Sequence, residues 1–156
     1  MIETAAAMAR LDKILAVPGV DEIFVGLNDL HISMGLTFMF ELLSDGLVEY
    51  IAQKCHNVGV PFGFGGIARI GEGMLPSDYI LGEHMRLGST SVILSRTFKG
   101  VVGVDANARP VNLKEEVDKV RTRMQEIDSW TEDDHAENRK RIETAVDAVI
   151  AKITGR

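Results

Sequence analysis

The stretch EIFVGLNDL, residues 22–30, decides how the rest of the chain reads. EIFVG (22–26) is a short apolar run with β-branched residues, the pattern of a buried strand. Asn28 and Asp29 follow directly at its C-terminal end. Upstream, residues 4–16 read as a helix: Thr4 suits the N-cap, and Met8, Leu11, Ile14 and Leu15 recur at helical spacing. Pro18-Gly19 stops that helix before the strand.

Downstream the same alternation continues. Leu47, Val48, Ile51, Cys55 and Val58 make the apolar stripe of a helix over 45–58, closed by Gly59. VPFGFGG (60–66) reads as a second strand running into glycines. A helix over 76–87 has Pro76 in its first turn and Gly88 at its end, and TSVILSR (90–96) is a third strand. Strict alternation with short connections predicts an α/β fold with parallel strands built from βα units. The polar candidates then fall just past the strand ends: Asn28 and Asp29, Gly65 and Gly66, Ser95 and Arg96. In parallel α/β folds that edge binds ligands.

Glu3 follows Met1-Ile2 as Asp29 follows its strand. On that reading the chain starts inside a strand and holds four βα units, an open half-barrel with exposed edges. An upstream half lying outside this chain is the favoured explanation, and association of two half-barrels is the other. Residues 1–100 form the half-barrel and residues 101–156 a helical extension. In the extension, 100–111 is an irregular connector. Asn112 with Glu115 resembles a capping box, and Leu113, Val117, Val120, Met124 and Ile127 form one apolar stripe. A last helix covers 132–153, with Ile142, Val146, Val149, Ile150 and Ile153 on one side. These two helices either cap the barrel or pack on a partner subunit.

Composition narrows the function classes. The 156 residues are 46% hydrophobic and 26% charged, ordinary for a globular domain. A net charge of −6 argues against nucleic acid as partner. The single Cys55 forbids a disulfide framework. The N-terminal stretch lacks the pattern of a secretory signal, and no apolar run approaches the roughly 18 to 20 residues that span a bilayer. A cytoplasmic protein without a membrane partner is expected.

Glu3 and Asp29 carry the chemistry. Ending adjacent strands about 4.8 Å apart, their carboxylates are within reach of one ion, and oxygen donors suit Mg2+ or Mn2+. Taken alone, an Asp in that position also serves as a turn or cap residue, and a Glu near a terminus is simply solvated.

The run IETAAAMARLDKILAVPGVDEIFVGLNDLHISMG (2–35) resembles the metal-binding segment of the HpcH/HpaI aldolases. In that family a Glu ends one strand and an Asp ends the next within a Gly-Pro-(Ala/Asn)-Asp-Leu motif, which here reads Gly26-Leu27-Asn28-Asp29-Leu30. The likeness continues through GVPFGFGGIARIG (59–71) and LGSTSVILSRTF (87–98), covering about residues 1–100. It implies the C-terminal half of a (β/α)8 TIM barrel and a class II, metal-dependent carbon–carbon lyase. Such an enzyme acts on 2-oxo acids and aldehydes through a pyruvate-type enolate, and homo-oligomers are expected. Glu3 and Asp29 would ligate the ion, and the backbone N–H groups of Asn28 and Asp29 would hold the substrate carboxylate. Leu27 departs from the family's Pro. The family's general-base His and substrate-binding Arg come from earlier strands, and none of His31, His56, His84 or His135 takes that role. A related citrate-lyase β or malyl-CoA type lyase is the second enzyme reading. A non-catalytic fragment or assembly module is the reading from another class.

Other residues keep two readings each. Gly63, Gly65 and Gly66 allow either close approach to a substrate or a tight strand-to-helix turn. Arg96 either contacts a distal carboxylate or phosphate or is held by a neighbouring loop, and Arg69 is similar. His31 either lines the mouth of the site or sits on a surface loop. His84 and Arg86 fall on the outer face of their helix, Cys55 belongs to the core, and Phe38, Met39, Phe40, Leu42 and Leu43 form a lid, an oligomer contact or ordinary packing under the barrel rim.

Overall fold

The structure, a computed structural model, describes residues 1–99 and 111–155, so the connector expected over 100–111 lies almost wholly outside the described residues. Its sheet holds three parallel strands, β1 (Ile23–Val25), β2 (Phe62–Ile67) and β3 (Ser91–Leu94), in the order β1-β2-β3. The stub at Ile2 adds an isolated parallel bridge to Val25. There the Ile2 N–H donates to the Phe24 carbonyl at 2.8 Å, and the Gly26 N–H donates to the Ile2 carbonyl at 3.0 Å.

The helices are α1 (Ala5–Met8), α2 (Leu11–Leu15), α3 (Leu27–Met34), α4 (Glu41–Ser44), α5 (Leu47–Asn57), α6 (Ser77–Arg86), α7 (Leu113–Ile127) and α8 (Glu132–Thr154), with a 3-10 turn at Arg96–Lys99. The single helix expected over 4–16 is two. Thr4 caps the first as expected, its side chain accepting from the Ala7 N–H at 3.1 Å. At Arg10 the N–H turns back to the Ala7 carbonyl, three residues away, and the helix restarts. Helix α3 is unforeseen in the sequence. Only Leu27 and Leu30 of its eight residues are buried, so its apolar period is weak. Its readable signals are Asp29 in the first turn and Gly35, which closes it in the left-handed conformation at φ 72°. Phe38, Phe40, Leu42 and Leu43 are buried, so this stretch packs into the core and is no lid.

Alternation along β2 separates the two faces of the sheet. Phe62 meets His56 of α5 edge-on at 5.7 Å, and Phe64 stacks on His84 of α6 at 3.7 Å, so both helices cover one face. A Cβ on Gly63 would overlap Ser91 Oγ, which itself donates to the Glu22 carboxylate, so these groups lie on the other face. Ile93 is 54% exposed on β3, a strand open where β1 and β2 are buried.

His84 corrects an expectation. It is 4% exposed and faces the sheet, not the outside. Stacking on Phe64 fixes its ring, and Nδ1 pairs with Ser89 Oγ at 2.8 Å. Burial pushes its pKa down to about 3. The unfolded chain takes up this proton below about 6.5, whereas the folded chain resists until about 3. Stability from this residue is therefore complete above pH 6.5 and is lost as pH falls toward 3. Between pH 7 and pH 5 the loss is about 2 kcal/mol. Urea unfolding at the two pH values measures it, and His84→Phe, which keeps the stack, is expected to flatten the difference.

The C-terminal helices pack on this chain's own α6, and α8 also meets α4. Gly82 permits the contact: a Cβ there would lie 2.5 Å from Asn138 Nδ2 and 2.8 Å from Trp130 Cζ3. Asn138 then donates to the Tyr79 carbonyl at 3.0 Å. Among the described residues no helix is long and apolar enough to cross a membrane.

Candidate metal and substrate site

Glu3 and α3 meet at the C-terminal edge of the sheet. The register that sets Ile2 against Val25 brings Glu3 beside Gly26, the residue that precedes α3. The Glu3 side chain folds over that glycine. A Cβ added to Gly26 would lie 2.6 Å from Glu3 Cγ and 2.8 Å from Oε1. Asn28 and Asp29 are the second and third residues of α3, not the tail of the strand. The first backbone bond into the helix is Leu30 N–H to the Gly26 carbonyl at 3.0 Å. The N–H groups of Leu27, Asn28 and Asp29 thus precede the hydrogen-bonded ladder and present positive partial charge to the same edge.

Glu3 is half-buried and Asp29 exposed. Neither carboxylate joins an ion pair among the described residues. Two unengaged oxygen donors at one edge fit a hard divalent ion that keeps waters in its shell. Among the described residues no group of three or more His, Cys, Asp or Glu is placed to hold a metal. Glu3 and Asp29 are the two carboxylates that could hold such an ion.

Gly26 makes the arrangement testable without touching a ligand. Its φ of −80° is open to alanine, so a methyl group would act mainly by displacing Glu3. Gly26→Ala is expected to weaken Mn2+ binding about tenfold, the scale of losing a group that orients a ligand, while thermal stability stays near wild type. Isothermal titration beside a melting curve checks both.

The other candidates distribute as follows. Gly65 is buried in β2 at φ 42°, and a Cβ there would lie 2.5 Å from Leu27 Cδ1. Its close approach is to the Leu27 side chain, which fills the corner between β2 and the start of α3. Arg96 does not end the third strand, because β3 stops at Leu94. The chain turns after Ser95, and Arg96 opens the 3-10 turn with its side chain exposed. Arg69 is tied down: its side chain pairs with Glu72 at 2.6 Å, and its N–H donates to Thr97 Oγ1 at 3.1 Å. His31 sits on α3, not on a loop, with Nδ1 3.2 Å from the Leu27 carbonyl. Cys55 is fully buried and its thiol is pushed up to about 11, as a core residue should be.

Comparison with known proteins finds similarity to aldolases. The chain is 36% identical over 77 residues to a hydroxypyruvate/pyruvate aldolase of Rhizorhabdus wittichii, covering 45% of this chain and 31% of that protein. It is 38% identical over 71 residues to a 2-dehydro-3,6-dideoxy-6-sulfogluconate aldolase of Pseudomonas putida, covering 42% and 26%. A 4-hydroxy-4-methyl-2-oxoglutarate aldolase of Chaetomium globosum is 35% identical over 68 residues, covering 43% and 25%. The match thus spans a quarter to a third of the length of these relatives. No family model and no solved structure matches the chain.

Proposed function

We propose that this chain forms the metal-holding half of a class II aldolase site in a half-barrel of the (β/α)8 type, acting on a 2-oxo acid such as pyruvate. The observation that carries the reading is the Glu3 carboxylate folded over Gly26 at the start of the helix that bears Asp29. Similarity to three proteins named as aldolases supports the reaction class. Support for the half-barrel comes from α5 and α6 covering one face of a parallel sheet whose β3 stays open.

Glu3 and Asp29 would hold Mg2+ or Mn2+. When bound, that ion supplies Lewis acidity that lowers the cost of negative charge developing on the substrate's keto oxygen. The free N–H groups of Asn28 and Asp29 would orient the substrate carboxylate at the helix N-terminus. Leu27, packed on Gly65, keeps that turn in place. Arg96, exposed past β3, would meet the far end of a longer substrate. No residue here is assigned the proton transfer that aldol cleavage needs.

This division of labour predicts a specific pattern of activity. Oxaloacetate decarboxylation needs the keto oxygen polarised but no base to start the bond cleavage, whereas retro-aldol cleavage needs a base on the hydroxyl. With Mn2+ the chain is expected to decarboxylate oxaloacetate faster than free Mn2+ does, and to cleave 4-hydroxy-2-oxo acids poorly. A decarboxylation rate equal to that of the free ion would defeat the proposal.

A further inference from the structure

Hydrogen bonds anchor the segment that carries Glu3 on both sides. Ahead of Glu3, Ile2 is tied to the sheet: its N–H donates to the Phe24 carbonyl at 2.8 Å, and its carbonyl accepts from the Gly26 N–H at 3.0 Å. Beyond Glu3, the Ala5 N–H donates to Ser33 Oγ of α3 at 3.0 Å. Ala5 is the first residue of α1, so its N–H has no acceptor within its own helix. The Thr4 hydroxyl serves the Ala7 N–H instead.

The second anchor ends on the helix that bears Asp29. Asp29 stands four residues before Ser33, one turn back along the same face of α3. Glu3 lies over Gly26, at the N-terminal end of that helix, and Ala5 meets Ser33 further along it. Residues 3–5 therefore run beside the face of α3 that carries Asp29. The bridge at Ile2 ties Glu3 to the sheet, whereas the Ser33 bond crosses directly to α3. Ser33 and Ala5 are exposed, so water would serve the Ala5 N–H if the hydroxyl were removed, and the bond adds little to stability. What it contributes is placement.

We propose that Ser33 is a positioning residue for the metal site. By holding the Ala5 N–H, its hydroxyl sets the spacing between the Glu3 and Asp29 carboxylates that one divalent ion requires. This role rests on the function proposed above.

The test compares Mn2+ titration calorimetry, NMR hydrogen exchange of the metal-free chain and melting curves across a set of variants. Ser33→Ala is expected to weaken Mn2+ binding about tenfold, the scale of losing a group that orients a ligand, and to speed exchange of the Ala5 amide. Its melting temperature should fall by no more than about 4 °C, the scale of one lost hydrogen bond in a chain of this size. Ser33→Thr keeps the hydroxyl and should restore both the affinity and the protection. Thr131→Ala removes a cap bond from α8 and should lower the melting temperature without changing Mn2+ affinity. The role of Ser33 is overturned, with the metal site left standing, if Ser33→Ala binds Mn2+ as tightly as wild type, if Ala5 exchange is unchanged, if Ser33→Thr fails to restore affinity, or if Thr131→Ala loses affinity equally. A wild-type chain that binds no Mn2+ overturns the metal site itself, and this role with it.

Discussion

Glu3→Gln and Asp29→Asn are each expected to abolish measurable Mn2+ binding, while the fold and its melting temperature change little. Each substitution removes one of the two carboxylates proposed as ligands, and among the described residues no group of three or more acidic, imidazole or thiol side chains is placed to take over. Groups that merely orient a metal ligand cost about 10- to 100-fold in affinity when lost, so losing a ligand outright should exceed about 100-fold. Stability should hold because Asp29 is exposed and neither carboxylate is engaged in an ion pair among the described residues. Electron paramagnetic resonance of free Mn2+ in a titration reads the loss. Near-wild-type affinity in the double variant would mean that these residues hold no ion.

The largest effect on stability is expected at Arg86, which ties α6 to α5 at a carboxylate that α8 also reaches. Its guanidinium donates to Glu83 at 2.8 Å and to Glu49 of α5 at 3.1 Å. Arg139 of α8 reaches the same Glu49 at 2.6 Å. Glu83 is 2% exposed, so removing its cation leaves a buried charge uncompensated. The two arginines also hold the Glu49 carboxyl below its usual range, Arg86 foremost. Arg86→Met is expected to cost about 3 kcal/mol, the lower end for breaking a buried pair, because the Arg86 side chain is itself 21% exposed. Urea unfolding gives the number, and hydrogen exchange should show α8 loosening with α6. A loss under about 1 kcal/mol would rank this network with ordinary surface pairs.

Much of the fold is legible in the sequence because it rests on local pattern. The β-branched run at 22–26, the glycine-rich run after Pro61 and the run at 90–96 each become a strand of one parallel sheet. Helices α7 and α8 follow from long apolar stripes and strong caps: Asn112 accepts from the Glu115 N–H, and Thr131 pairs reciprocally with Asp134. What escapes the sequence depends on tertiary contact. Helix α3 buries two side chains and has no side-chain N-cap, so nothing in its periodicity announces it. His84 looks like one more polar residue late in a helix, and only the Phe64 ring beneath it explains its burial.

The site divides in the same way. Glu3 and Asp29 are legible as carboxylates following strands, and the structure brings Glu3 to the first turn of the helix that carries Asp29. Gly26 as the floor under Glu3 is invisible in the sequence, since only the pairing of Ile2 with Val25 sets the two side by side. Gly65 reads as a place for a substrate but receives Leu27, a contact between residues far apart in the chain. Arg96 reads as a strand end because it closes the run TSVILSR, yet β3 stops at Leu94 and Ser95 makes the last bond to β2 before the chain turns into the 3-10 turn.

On the proposed function, one edge of this sheet holds a divalent ion and a 2-oxo acid together. Water-proton relaxation during a Mn2+ titration, with and without pyruvate, tests it most directly. One saturable Mn2+ site per chain is expected, whose affinity rises when pyruvate is present and whose relaxation enhancement falls as pyruvate displaces bound water. No saturable site, or a site indifferent to pyruvate, would contradict it.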